Sequence, residues 1–243
     1  MIKVHTFLTC GEEIYSINRN NNSPFGDSRG FKIKTNNIKI AADILKKGGI
    51  VVYPTETVYG VGCDPLNSEA CARIQQIKKR EKHKPMLLLA NSIHQIEELA
   101  GTLDTVTLKL AQSFWPGPLT LIITVQTNLF EKYSDISEYL AGKTVNHDSQ
   151  KSLAFRITSN PDAATLIEEF GRPITSTSAN IAGYPPVDTY ENALEIFENK
   201  ADIVIGTNEK LSGTPSTIVD VTSDRLIMIR EGSITLKQIQ EVL

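Results

Sequence analysis

Cysteine is scarce in this 243-residue chain, long hydrophobic runs are missing, and neither sign of charge dominates. The three cysteines, Cys10, Cys63 and Cys71, fit neither a disulfide framework nor a CxxC zinc pattern, so a reducing cytoplasm is the expected compartment. The longest apolar runs, IVVY at 50–53 and LTLIITV at 119–125, are strand-sized and far short of the roughly 18 residues of a membrane span. The opening MIKVHTFLTCGEEIY has no long apolar stretch before a small-residue cleavage site and does not read as a secretory signal. Lys and Arg number 25 against 28 Asp and Glu, which leaves a net charge of -3 and a pI near 5.9. A global basic field for nucleic acid is thereby excluded, and any polyanion site must be local. His5, His83, His94 and His147 lack metal-ligand spacing, and no GxSxG, GxxxxGK[ST] or strand-following GxGxxG occurs. Zinc hydrolysis, nucleophile-elbow chemistry and the common phosphate loops are therefore poor fits.

What is present is an alternation of strand and helix patterns. Residues 1–35 are poorly patterned and Asn-rich, and read as an N-terminal extension or arm before a domain spanning 36–243. Ile38, Ala41, Ala42 and Leu45 then share one helical face that Gly48 and Gly49 end, and IVVY follows as a buried strand. PTETVYGVG reads as a loop, and Ser68 is the expected cap of a second helix that runs into KKREKHK at 78–84. Strands are expected at 85–90, 119–125, 153–158, near 173–177, at 202–206, and in two closing segments that suit an antiparallel pair. Helices are expected between them, whereas 126–150 is polar and irregular and reads as a loop or insertion. The pattern implies an α/β domain built on a largely buried sheet.

Two features carry chemistry. Lys78, Lys79, Arg80, Lys82 and Lys84 crowd one helix end, where the helix dipole alone favours cations by roughly 0.3–1 kcal/mol. Hydroxyl-rich loops recur as well: Thr55 and Thr57; Thr175, Ser176, Thr177, Ser178 and Asn180; Ser212, Thr214, Ser216 and Thr217. Turn formation explains each loop alone, but three of them with Arg156 and Arg230 on strands are equally suited to a shared anionic pocket.

The segment GGIVVYPTETVYGVG resembles the YrdC/TsaC family of threonylcarbamoyl-AMP synthases, whose pattern is GGhhhhPTETxYGhG. The resemblance continues in order through IKKR with Pro85, FWPGPLTLII, LAFRIT, PITSTSANIAGYPP, GTPSTIVDVT and LIMIREGSI, over about residues 37–235. It implies a twisted open mixed sheet with helices around a concave basic cavity. The implied reaction joins L-threonine, bicarbonate and ATP, with Mg²⁺, into threonylcarbamoyl-AMP and pyrophosphate. This serves threonylcarbamoyladenosine modification of tRNA beside the anticodon, through a downstream transfer complex. By motif position, Lys78, Arg80, Ser178 and Asn180 match the family's charged and polar tetrad. Thr57, Arg156, Ser176 and Ser216 match the threonine pocket, and Arg80, Lys84, Ser152, Ser178 and Arg230 the ATP side. No metal ligand and no general base is assigned.

The chain departs from the family pattern at several places. Lys79 and Glu81 replace the usual Gly and Pro, Lys84 stands where Asn or His is common, and Leu89 where a histidine often faces threonine. Pro186 replaces a frequent serine, and Glu231 the Pro of RPG. The length fits the short, single-domain form. Two other readings stay open: a noncatalytic relative that binds tRNA or double-stranded RNA, and a carbamoyl-transfer module.

Overall fold

The structure is a computed structural model that describes residues 17–20, 28–34, 37–79, 85–125, 137–140, 142–143, 151–207 and 210–243. Arg80 and Lys84 lie outside the described residues.

Helices form where the 3.6-residue pattern and a capping side chain coincide. The first, α1 (Ile38–Lys46), buries Ala41, Ala42 and Leu45. In α2 (Ser68–Lys78) the cap is Asn67, one residue before the expected Ser68: its side-chain oxygen accepts from the Ala70 amide at 2.9 Å. Ser92 caps α3 (Ile93–Ala100) and Asp104 caps α4 (Thr105–Phe114). A short α5 (Ser137–Leu140) is followed by α6 (Pro161–Phe170), capped by Asn160 and ended by Gly171 at φ 88. Thr189 caps α7 (Tyr190–Phe197), and Thr235 with Gln238 forms a capping box on α8 (Leu236–Val242).

Lys79, at the place of the pattern's glycine, ends α2 in the left-handed region at φ 50. An L side chain pays roughly 1–2 kcal/mol there, so Lys79→Gly should raise stability by about 1 kcal/mol, read as a higher urea midpoint.

The strands are β1 (Ile17–Asn20), β2 (Ser28–Lys34), β3 (Val51–Tyr53), β4 (Gly60–Gly62), β5 (Leu87–Ala90), β6 (Leu119–Val125), β7 (Gly142–Lys143), β8 (Lys151–Ile157), β9 (Ile174–Ser178), β10 (Ile203–Gly206), β11 (Thr217–Asp220) and β12 (Ile227–Arg230). They make one open mixed sheet in the order β1-β2-β10-β3-β4-β9-β5-β8-β6-β11-β12, with β7 also against β8. Residues 17–20 and 28–34, within the expected arm, thus join the sheet edge, and residues 137–140 and 142–143 add a helical turn and a short strand. The closing pair β11 and β12 is antiparallel, as their proximity in sequence suggests.

Side chains alternate across a strand, so each strand divides its residues between two faces. Leu153, Phe155 and Ile157 of β8 and Leu119, Leu121, Ile123 and Val125 of β6 enter the larger core, together with Ile74 of α2, Ile96 of α3, Leu110 of α4 and Ile239 of α8. On the opposite face a second core joins α1 and α6 to β3, β5, β9 and β10 through residues such as Leu45, Leu166, Ile167 and Ile205. No residue of β6, β8, β11 or β12 enters this second core. That half of the face carries Thr120, Ser152, Arg156 and Arg230 instead. The functional face is thus set by a change in what the strands present, from apolar to polar, along one side of one sheet.

Candidate functional site

The first polar group gathers where α2 meets the end of β9. Lys78 is only 3% exposed, and its Nζ donates to the carbonyls of Ser178 and Asn180 and to Asn180 Oδ1, the last two at 2.9 and 3.0 Å. A buried ammonium demands such partners, because leaving it unsatisfied would cost several kcal/mol. Ser178 Oγ donates to the same Oδ1 at 2.7 Å, and Asn180 Nδ2 donates to the Tyr184 carbonyl at 2.6 Å. The Lys78 carbonyl accepts from the Ala182 amide at 2.8 Å. Lys78, Ser178 and Asn180 are therefore one hydrogen-bonded unit that fixes the 178–184 loop to the helix end.

The second group centres on Arg156 of β8. Its Nε donates to Glu56 Oε1 at 3.2 Å, Nη2 forms an ion pair with the same oxygen at 2.6 Å, and Nη2 donates to Thr57 Oγ1 at 3.1 Å. Glu56 Oε2 accepts from the Thr158 hydroxyl at 2.7 Å. Thr55 Oγ1 donates to the Val58 carbonyl at 2.6 Å, which leaves the Thr57 hydroxyl to donate to Thr55 across 2.9 Å. The ion pair is largely withdrawn from water, with side chains 6% and 17% exposed, so its geometry is held far more firmly than a surface pair. Glu56 and Thr158 were not among the residues expected from the sequence. Their signal is tertiary: Glu56 and Arg156 are 100 residues apart.

The third group lies across β6, β11 and β12. Arg230 Nε and Nη2 donate to the Ser216 carbonyl at 3.0 and 2.8 Å, and Nη2 reaches Ser216 Oγ at 3.2 Å. Ser216 Oγ shares a hydrogen bond with Thr120 Oγ1 at 3.0 Å. Burial holds the Arg230 pKa below its ordinary value, and the positive charge of nearby Arg156 lowers it further. Two guanidiniums that repel each other are relieved by an anion placed between them.

Register joins these groups on one face. Leu89 of β5 pairs with Arg156 of β8, and Leu87 with Ser176 of β9, so Ser176, Leu89 and Arg156 point the same way. Ser178, two residues on, shares that face. Burial pushes the Tyr53 hydroxyl well above the usual phenol range, opposed by the Ser176 side chain and by the charge of Arg156, and the hydroxyl donates to the Thr175 carbonyl at 3.4 Å. Leu89 is 1% exposed and packs into the second core, which gives the site an apolar flank where the family pattern often has histidine. Ser152 pairs with Thr124 and is 1% exposed, and its Oγ has no hydrogen-bond partner among the described residues. Glu231 Oε2 accepts from the Leu236 amide at 3.0 Å and so serves the start of α8. A separate cavity of about 1070 Å³, lined by residues such as Asp104, Lys109, Thr124 and Arg225, includes none of the expected site residues that are described.

Fold and site together define an open-sheet α/β protein that presents arginines and hydroxyls from several strands, and a carboxylate from the loop after β3, on one sheet face. The Sua5/YciO/YrdC family model, described as telomere recombination, matches residues 43–232, and the chain belongs to this family. It is similar to the threonylcarbamoyl-AMP synthase of Pyrococcus abyssi (strain GE5 / Orsay), 33% identical over 206 residues that make up 85% of this chain and 57% of that protein. A second threonylcarbamoyl-AMP synthase, from Coxiella burnetii (strain RSA 493 / Nine Mile phase I), is 31% identical over 195 residues, 80% of this chain and 98% of that protein. Among solved structures, P. abyssi Sua5 complexed with L-threonine superimposes with a TM-score of 0.76 at 31% identity, covering 87% of this chain and 60% of that one. The chain thus spans little more than half of the Pyrococcus protein and nearly all of the Coxiella one.

Proposed function

We propose that the chain is a threonylcarbamoyl-AMP synthase. The observation that carries the reading is the buried Arg156, fixed by Glu56 and Thr57 on the same sheet face as Arg230, in a fold shared with P. abyssi Sua5 complexed with L-threonine. In this reading the L-threonine carboxylate binds Arg156, a charge-assisted contact of roughly 1.5–3 kcal/mol, with Thr57, Ser176 and Ser216 around it. The amine forms a bond to the bicarbonate carbon with loss of water. A carbamate oxygen then attacks the α-phosphorus of ATP, the bond to the β-phosphate oxygen breaks, and pyrophosphate leaves.

The work of the chain is positioning and charge stabilisation. Arg230 shares the sheet face of Arg156 and feels its charge, which suits the face to the anionic groups of the two substrates. Lys78 contributes positive charge while it holds the 178–184 loop, and the Ser178 hydroxyl needs only a rotation from Asn180 Oδ1 to donate to a phosphate. Arg80, Lys84 and Ser152 complete the proposed nucleotide side. Among the described residues no group of three or more His, Cys, Asp or Glu is placed to hold a metal. Mg²⁺ suits the site as a partner of the triphosphate, held chiefly by phosphate oxygens and water, whose charge it would neutralise.

In the cell this activity would supply an activated threonylcarbamoyl group to a tRNA-modifying transfer complex in the cytoplasm. No helix among the described residues is long and apolar enough to cross a membrane. The test is pyrophosphate release by purified protein with ATP, Mg²⁺ and bicarbonate, with and without L-threonine. Threonine-dependent release is expected. Folded protein that releases none, yet binds tRNA with an affinity that falls steeply with salt, would replace the enzyme reading with an RNA-binding one.

A further inference from the structure

Arg156 does not meet a ligand as a bare cation. Its Nε and Nη2 are engaged by Glu56 and Thr57, while Nη1 makes no hydrogen bond to the described residues. Glu56 in turn is held at both oxygens, Oε1 by Arg156 and Oε2 by the Thr158 hydroxyl, and its side chain stays 17% exposed. The pair is neutral as a unit. A simple carboxylate arriving at Nη1 is attracted by the guanidinium and repelled by a carboxylate whose oxygen lies 2.6 Å from that guanidinium. A ligand with a carboxylate and an ammonium on the same carbon presents one charge to each partner. A pair serving only to orient Arg156 would not tell these two ligands apart.

We propose that Glu56 is a specificity-determining residue, and that the Glu56–Arg156 pair selects zwitterionic α-amino acids by taking the ammonium on Glu56 and the carboxylate on Arg156. The proposal rests on the reading of this face as the threonine site and deepens it. In this role Glu56, held in place by the guanidinium and by Thr158, is a counterion for the ammonium.

The experiment measures equilibrium binding by calorimetry, without ATP, of L-threonine and of (R)-3-hydroxybutyrate, which keeps the carboxylate and hydroxyl but lacks the ammonium. Wild-type protein should prefer L-threonine by about tenfold or more. Glu56→Gln should collapse the preference to within about threefold, through weaker threonine binding with little change for the hydroxy acid, and Glu56→Asp should retain a preference. Equal binding of the two ligands by wild-type protein overturns the proposal without any variant, so a misfolded Glu56→Gln does not shelter it. A folded Glu56→Gln that keeps the wild-type preference also overturns it. L-serine against 3-hydroxypropionate separates the two levels: preference for serine with no threonine binding refutes threonine as the ligand and upholds the zwitterion rule. Threonine-dependent pyrophosphate release without any ammonium preference does the reverse.

Discussion

Arg156→Ala should lower threonine-dependent pyrophosphate release by about 10- to 150-fold, which corresponds to removing one charge-assisted hydrogen bond to the substrate. The same change should destabilise the protein by about 3–5 kcal/mol, because Glu56 would be left largely buried without its cation. The two effects have different origins and can be separated. In Glu56→Gln/Arg156→Met the orphaned charge is gone, so most of the stability should return while turnover stays low. Urea unfolding and pyrophosphate release on the same preparations read both quantities. Near-normal turnover in folded Arg156→Ala would remove Arg156 from the substrate site and with it the reading of this face.

Gly62→Ala should be the most damaging small substitution in the sheet, costing about 3 kcal/mol or more and lowering the urea midpoint without altering its slope. A Cβ on Gly62 would sit 2.0 Å from the Thr175 carbonyl oxygen and 3.2 Å from the Tyr53 hydroxyl. Neither neighbour can withdraw cheaply. Thr175 is fixed to Cys63 by hydrogen bonds in both directions, from its amide at 2.9 Å and to its hydroxyl at 2.8 Å, and Tyr53 is fully buried. Wild-type stability in Gly62→Ala would mean that β4 and β9 do not pair in this register.

That glycine also shows where sequence reading stops. VYGVG reads as a loop because glycine has little strand propensity, yet Gly60 and Gly62 are strand residues that let Tyr53 and Thr175 approach. Most other elements announce themselves locally, as α1 does through Ala41, Ala42 and Leu45. The cap of α2 is Asn67 and not Ser68 because either side chain suits the position, and only the path of the backbone decides between them. Strand order is not local at all: nothing near IVVY says that 203–206 lies beside it. The site divides in the same way. Lys78, Ser178, Asn180 and Arg156 stand in recognisable motifs, and the structure brings Lys78, Ser178 and Asn180 into one network. Glu56 sits inside PTET without local sign of its partner, since its meaning comes from Arg156 on a strand 100 residues later.

The strand order has a consequence for how the chain assembles. The neighbours of the β3–β4 hairpin are β10 on one side and β9 on the other, drawn from residues 203–206 and 174–178. As the polypeptide leaves the ribosome, the first 125 residues can make helices and a hairpin but cannot close the sheet around them. Both flanks of β3 and β4 must wait for late-synthesised partners, and the closure of such long loops makes folding slow. Nascent chains therefore carry two unpaired strand edges for most of synthesis, a period in which aggregation competes with folding and chaperone protection has the most to contribute.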